Sequence, residues 1–179
     1  MATSVEIAVI DDCQRVAHSF GDWSRLPAVA HVSFFHDHCA SESDLVDRLA
    51  RFEVVGVMRE RTAFPRSVLA RLSKLRLLVS TGRRNSAIDM EAADDLGITV
   101  GFTNSPGHAT AELTMALILS LARNLSVQSG SMSAGGWQVG IGRDLRGASL
   151  GLVGLGRLGG QVAGLAGAFA MQVVPGAKT

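Results

Sequence analysis

Three glycines toward the carboxyl end of the chain, Gly154, Gly156 and Gly159, stand at the G-x-G-x-x-G spacing that can cradle a dinucleotide's phosphates. Each glycine has its own mechanical task. The first permits a tight turn out of a strand, the second lets a pyrophosphate approach the backbone, and the third lets a helix pack closely on the strand. The N–H groups and positive dipole at the start of that helix then face the phosphates. The spacing alone is weak evidence, because a close-packed strand–turn–helix corner without a ligand shows it too. Here Leu150, Leu152 and Val153 precede it in a strand pattern, and Leu158, Val162 and Leu165 continue it in a helical one, which is the context a dinucleotide site requires. No Asp or Glu follows about 20 residues later to take an adenosine ribose hydroxyl, so the motif leaves the choice between NAD and NADP open.

Arginines form the second candidate set. Arg59 and Arg61 follow an apolar run ending at Met58, and Arg83 and Arg84 follow one ending at Ser80, immediately after Gly82. Ligands of open α/β sheets sit outside the carboxyl ends of strands, and a guanidinium takes a carboxylate by two parallel hydrogen bonds. Gly82 leaves neighbouring backbone N–H groups accessible beside it. The expected ligand is a small anion; solvated surface arginines, some paired with Glu60, are the plainer alternative. His36 and His38 offer two metal ligands, but no third or fourth follows at useful spacing, so no metal is expected. His108 begins a long helical pattern, where positive charge is unfavourable, and reads as a structural residue or one near a cleft rather than as a general base. Asp11 and Asp12 could act as acids, although capping a loop is the commoner use of such residues.

The elements that must position these residues follow from periodicity. Apolar runs at residues 5–10, 31–36, 53–58, 75–80 and 98–102 read as five strands, separated by helical patterns at 43–52, 65–72 and 89–96. Runs that are apolar throughout suit strands covered on both faces, and intervening helices make neighbouring strands parallel. The first domain is thus expected to be an open α/β sandwich ending near Phe102. Asn104, Ser105, Pro106 and Gly107 form a turn cluster that reads as a hinge. From His108 to Asn124 the helical pattern has almost no polar face, which predicts burial all round, between domains or against a second subunit, or simply in a core. Residues 126–147 lack a clear period and read as an extended connection anchored by Trp137. Strand 149–153, the glycine turn, a helix over 157–169 and a strand over 171–174 complete the chain.

Composition narrows the classes further. With 47% hydrophobic and 18% charged residues, the 179-residue chain can bury one complete core and part of a second. Its formal net charge of +1 gives no electrostatic footprint for nucleic acid or an anionic membrane. Cys13 and Cys39 are too few for a disulfide framework and lack the paired spacing of a zinc site, which suits a reducing cytosol. No basic segment with a sustained apolar run opens the chain, so no secretory signal is read and a cytoplasmic protein is expected. Gly156, Gly160 and Gly164 stand four apart in a weakly charged stretch, as in packed membrane helices. A strand, a glycine turn and a helix account for that stretch better, because glycine is costly inside a helix.

Taken together, several segments resemble the D-2-hydroxyacid dehydrogenase family, which includes D-3-phosphoglycerate dehydrogenases. They are Met58-Arg59-Glu60-Arg61-Thr62, Ser80-Thr81-Gly82 with Ile88-Asp89, Ala111-Glu112, Leu145-Arg146-Gly147 and the stretch from Gly154 to Gly159, in matching order along nearly the whole chain. The resemblance implies a flavodoxin-like, parallel-sheet substrate-binding domain over residues 1–103. Over 104–179 it implies an interdomain helix and the first part of a Rossmann NAD-binding domain, incomplete, with a cleft between the domains and a homodimer. It implies that Arg59 helps hold a substrate carboxylate, with Gly82 and Arg83 beside substrate and nicotinamide. Thr110 would approach the coenzyme, and Arg157 and Leu158 would offer N–H groups to its pyrophosphate. The partner is then a small anionic 2-hydroxy or 2-oxo acid and the cofactor NAD, with NADP left open. Arg84 and Ala87 stand where many members have Gly and Asn, which puts the shape of the substrate loop in question. The family's catalytic Arg, Glu and His have no counterparts here, and the ending over residues 175–179 departs from the family's continuation. The resulting expectation is a truncated, inactive form of an NAD-dependent oxidoreductase; the competing one is a non-catalytic small-acid-binding or dimerising pseudo-enzyme.

Overall fold

Every apolar run in the first hundred residues becomes a strand. In the computed structural model, which describes residues 4–104 and 107–176, these are β1 (Val5–Val9), β2 (Ala30–Phe34), β3 (Val54–Val57), β4 (Leu77–Ser80) and β5 (Thr99–Phe102). All neighbours pair in parallel, in the order β2-β1-β3-β4-β5. The chain divides into two units, Met1–Ser105 and Pro106–Thr179. Of the expected hinge cluster, Ser105 and Pro106 lie outside the described residues.

Strand order and crossover handedness decide which face of the first sheet is covered. A right-handed connection from β1 to β2 lies on one face, whereas the later connections, which step the other way along the sheet, lie on the opposite face. The helices α2 (Glu42–Leu49), α3 (Arg66–Leu69) and α4 (Met90–Asp95) accordingly share one core with one set of strand residues. Leu45, Leu49, Phe52, Phe64, Val68, Leu69 and Ala92 pack with Ala8, Val55, Val57 and Leu78. Caps fix where two of these helices begin: Ser41 Oγ accepts from the Asp44 N–H at 3.1 Å and Asp89 Oδ1 from the Ala92 N–H at 2.9 Å. Among the described residues of the first unit, the other face carries the short α1 (Ala17–Phe20) and a 3-10 turn, Trp23–Arg25. An apolar groove of about 560 Å³ runs there along Ile7, Val9, Val54 and Val79.

The second unit begins with α5 (His108–Arg123) and α6 (Leu125–Ser133), followed by β6 (Ser149–Leu152), α7 (Arg157–Ala168) and β7 (Gln172–Pro175). β6 and β7 pair in parallel as a two-stranded sheet joined through α7. Helix α5 packs against α7 and β6 through Ala111, Met115 and Ile118, which meet Val162, Leu150 and Leu152.

Three expectations for this unit are corrected. Helix α5 is not buried all round, for Leu113, Leu117 and Leu121 are 60%, 56% and 77% exposed. The face it buries is built of Ala111, Met115 and Ala122, because a neighbour rich in Gly and Ala makes a close but narrow contact. The extended connection is in part helical, as α6. Its Ser and Gly residues carry no hydrophobic period, and side chains of the helix fasten the following segment instead. Gln128 accepts from the Val139 N–H at 3.0 Å and donates to the Gly140 carbonyl at 3.0 Å, and Ser131 Oγ donates to the Trp137 carbonyl at 2.7 Å. Trp137 is no anchor, being 74% exposed. Among the described residues no helix is long and apolar enough to cross a membrane.

Candidate functional site

Because all five strands of the first sheet run one way, residues 10–12, 35–38, 58–62, 80–85 and 103 gather along one edge. Arg59 sits there with φ +49°, at the start of a short 3-10 turn, Arg59–Arg61. A non-glycine residue in the left-handed region persists only where its surroundings hold it. Its N–H donates to Thr81 Oγ1 at 3.2 Å, and its carbonyl accepts from Asn85 Nδ2 at 2.6 Å. The guanidinium lies against Gly82: a Cβ placed on that glycine would be 3.8 Å from Arg59 Cζ and Nη1.

Gly82 has φ +99°, so its place in the turn favours glycine on conformation as well as on space. Its N–H donates to Thr103 Oγ1 at 3.0 Å, and the Thr103 N–H returns to the carbonyls of Ser80 and Gly82 at 3.2 and 3.1 Å. Asn85, buried, donates also to Ser80 Oγ at 3.0 Å and accepts from the Ala87 N–H at 2.9 Å. The loop carrying Gly82 and Arg83 is thereby shaped by Asn85, in spite of Arg84 and Ala87. Arg83 and Arg84 are exposed. Asn85 and Thr103 were not singled out in the sequence, and Thr81 entered only within the Ser80-Thr81-Gly82 segment, with no role of its own. Their only signal is that they are turn-type and hydroxyl residues next to strand ends, which many idle residues share.

The other candidates along this edge hold structural positions. Arg61 does not join Arg59; its Nη1 donates to the Asp11 carbonyl at 2.9 Å. Asp12 caps α1, accepting from the N–H groups of Val16 and Ala17 at 2.9 and 3.2 Å. His36 Nδ1 lies 3.1 Å from the Asp12 carbonyl and His38 Nδ1 lies 2.9 Å from Asp11 Oδ1. Among the described residues no cluster of three or more metal-ligating side chains occurs. Burial pushes the Cys39 thiol above its ordinary range, which keeps it protonated and unreactive.

In the second unit the glycine turn joins β6 to α7, with Gly156 as the helix N-cap. Gly154 has φ +88°, and a Cβ on Gly159 would run into the carbonyl oxygen of Gly154, whereas nothing lies within 4 Å of a Cβ on Gly156. One glycine makes the turn, one lets strand and helix close up, and one leaves space over the helix start. A cradle of this shape, with the first turn of α7 behind it, fits a pyrophosphate. Arg157 and Leu158 form that first turn. Gly107, at φ +78°, meets them closely: a Cβ there would come within 2.6 Å of Arg157 Nη1 and 2.9 Å of Leu158 Cδ2. Thr110 is exposed on the first turn of α5, where its carbonyl accepts from Thr114 Oγ1 at 2.8 Å. Gly107 reads in the sequence only as part of a hinge; its packing role depends on a residue 50 positions away.

Residues 115–178 match the NAD binding domain model of the D-isomer specific 2-hydroxyacid dehydrogenases. A D-3-phosphoglycerate dehydrogenase of Methanocaldococcus jannaschii is 36% identical over 141 residues, which cover 75% of this chain and 26% of that protein. Residues 115–178 thus carry part of the NAD binding domain of that family, and the chain is similar to its members over most of its length. A glyoxylate reductase of Aeropyrum pernix is 36% identical over 119 residues, covering 60% of this chain and 35% of its own length. The crystal structure of a phosphoglycerate oxidoreductase from Vibrio cholerae superposes with a TM-score of 0.90 at 33% identity, over 97% of this chain and 56% of that one. The chain thus spans about a quarter to a third of these curated relatives and just over half of that solved structure.

The packing at the turn separates two glycines of one helix. Gly159→Ala forces backbone apart at the cradle and is expected to lower NAD affinity about tenfold or more, since one lost charge-assisted contact already costs that much. Gly164→Ala in the same helix meets open space and is expected to leave affinity unchanged while stabilising the helix by about 0.5–1 kcal/mol. Titration with NAD and thermal unfolding of both variants check this; equal effects at the two positions would contradict it.

Proposed function

We propose that this chain supplies the ligand-holding parts of an NAD-dependent oxidoreductase acting on a small D-2-hydroxy acid or its 2-oxo partner. The observation that carries the reading is Arg59 held in the left-handed region with its guanidinium against Gly82, at the edge where open α/β sheets take ligands. Arg59 would pair with the substrate carboxylate, and the backbone of Gly82 and Arg83 would border it. Arg offers the planar donor pair that a carboxylate accepts.

The cradle of Gly154, Gly156 and Gly159, with the N–H groups of Arg157 and Leu158, would hold the coenzyme pyrophosphate, and Thr110 would stand near the coenzyme. When bound, the nicotinamide supplies the hydride acceptor or donor of the reaction. The residues of this chain bind and orient, for no His, Asp or Glu among the described residues is bonded to Arg59, Gly82, Thr81, Thr103 or Asn85. General acid–base catalysis contributes about 10²–10⁴-fold, so residues 1–179 by themselves are expected to bind both ligands with negligible turnover.

The exposed Leu113, Leu117 and Leu121 recur every four residues along α5 and form one apolar stripe. A second copy of the chain, making a homodimer in the cytoplasm, is the proposed cover. Light scattering is expected to give the mass of a dimer, reduced to that of one chain by Leu117→Lys with Leu121→Lys. A wild-type monomer would overturn this assembly. Arg59→Ala is expected to weaken binding of pyruvate about tenfold or more, as follows from losing a charge-assisted pair. Ligand-observed NMR titration measures it, and unchanged affinity would remove Arg59 from the site.

A further inference from the structure

Arg59 does not hold its own conformation. Its amide and carbonyl are tied on one side to Thr81 and Asn85, and the segment then runs through Glu60 to Arg61 and Thr62. Both of these end on Asp11. The Arg61 guanidinium donates to the Asp11 carbonyl at 2.9 Å, and Thr62 Oγ1 donates to Asp11 Oδ2 at 2.6 Å. The other carboxylate oxygen, Oδ1, faces His38 Nδ1 at 2.9 Å. Asp11 and Thr62 are 2% and 5% exposed, so these bonds form where water competes little and an unmet partner is costly. Asp11 itself sits at φ +60°, a second non-glycine residue in the left-handed region on the same edge.

We infer that Asp11 is a positioning residue for Arg59. Its buried carboxylate and its carbonyl grip two consecutive residues, 61 and 62, and so fix the far end of the segment whose near end is gripped by Thr81 and Asn85. With both ends held, Arg59 stays in the left-handed region that lays its guanidinium against Gly82. His38, whose Nδ1 faces the other carboxylate oxygen, ties the loop after β2 into the same cluster. The inference deepens the proposed carboxylate site and, for its effect on ligand, rests on that reading.

The variants are Asp11→Asn, Thr62→Val, Thr62→Ser, Arg59→Ala and the double variant Asp11→Asn with Arg59→Ala, each in the full 179-residue chain. Asn tolerates the left-handed region and keeps the shape of Asp, but it offers one acceptor where Thr62 and His38 together need two. Two readouts are taken. Amide exchange of Arg59 needs no ligand, and pyruvate affinity by NMR titration does. Asp11→Asn and Thr62→Val are expected to speed exchange of the Arg59 amide roughly tenfold while core strand amides stay protected. Both should weaken pyruvate binding roughly three- to tenfold. Thr62→Ser, which keeps the hydroxyl, is expected to behave as wild type, and the double variant to bind no more weakly than Arg59→Ala alone.

Wild-type exchange at Arg59 in a folded Asp11→Asn protein overturns the inference, as do additive losses in the double variant. Should Asp11→Asn fail to fold, the Thr62 pair decides: equal behaviour of Val and Ser overturns the inference, and rescue by Ser supports it. If Arg59→Ala binds pyruvate as wild type while Asp11→Asn still frees the Arg59 amide, the carboxylate reading fails and the positioning role stands. If Arg59→Ala weakens binding and Asp11→Asn changes neither readout, the reverse holds.

Discussion

Strands that all run one way leave all their carboxyl ends on one edge, and what the first unit offers a ligand depends on that alignment. Parallel strands need long crossovers, so the loops leaving the edge are separate in sequence and meet only in the fold. Residues 11, 38, 59, 62, 82, 85 and 103 become neighbours for this reason. Two of them, Asp11 and Arg59, carry left-handed backbone at non-glycine positions. Such a conformation persists where its surroundings hold it, and here the bonds with Thr81, Asn85, Arg61 and Thr62 are the ones that surround the two positions. The same logic at smaller scale governs the second unit, where one βαβ turn brings Gly154 and Gly159 into backbone contact and leaves space over Gly156.

Much of this was open to reading from the sequence. The five strands lie within a residue or two of the apolar runs, because Val, Ile and Leu at consecutive positions have nowhere to go but a sheet covered on its faces. The glycine turn was equally open, since Gly154 and Gly159 answer steric demands of the turn and Gly156 keeps the space above it free. Arg59 and Gly82 were found by the rule that ligands gather beyond strand carboxyl ends, and the structure does lay one against the other. What stayed hidden was hidden for physical reasons. Arg61 shares its neighbourhood and charge with Arg59, and only the fold shows that its guanidinium is spent on the Asp11 carbonyl. Helix α6 has no apolar period to betray it and is tied by Gln128 and Ser131 to the segment that follows. The leucines of α5 predict burial, but their exposure depends on how little surface a Gly- and Ala-rich neighbour can cover.

The two units differ in how far their apolar surface is met. In the first, α2, α3 and α4 enclose a continuous core from Ala8 to Ile98, while the opposite face keeps an apolar groove beside α1. In the second, the shared core is small, centred on Ala111, Met115 and Val162, and long apolar side chains stand exposed along α5 and after it. The similarity to D-2-hydroxyacid dehydrogenases runs through both units, and the relatives that show it are longer than this chain. The proposed grips for acid and coenzyme each rest on residues within one unit, Arg59 with Gly82 in the first and the turn from Gly154 to Gly159 in the second.

A crystal structure of the chain soaked with NAD and pyruvate tests that pairing of grips most directly. The expected result places the pyruvate carboxylate in a two-point hydrogen bond with the Arg59 guanidinium beside Gly82, at about 2.7–2.9 Å. It also places the coenzyme pyrophosphate over Gly156, within about 3 Å of the N–H groups that open α7. A carboxylate bound away from Arg59, or a pyrophosphate seated elsewhere than the turn from Gly154 to Gly159, would contradict the account.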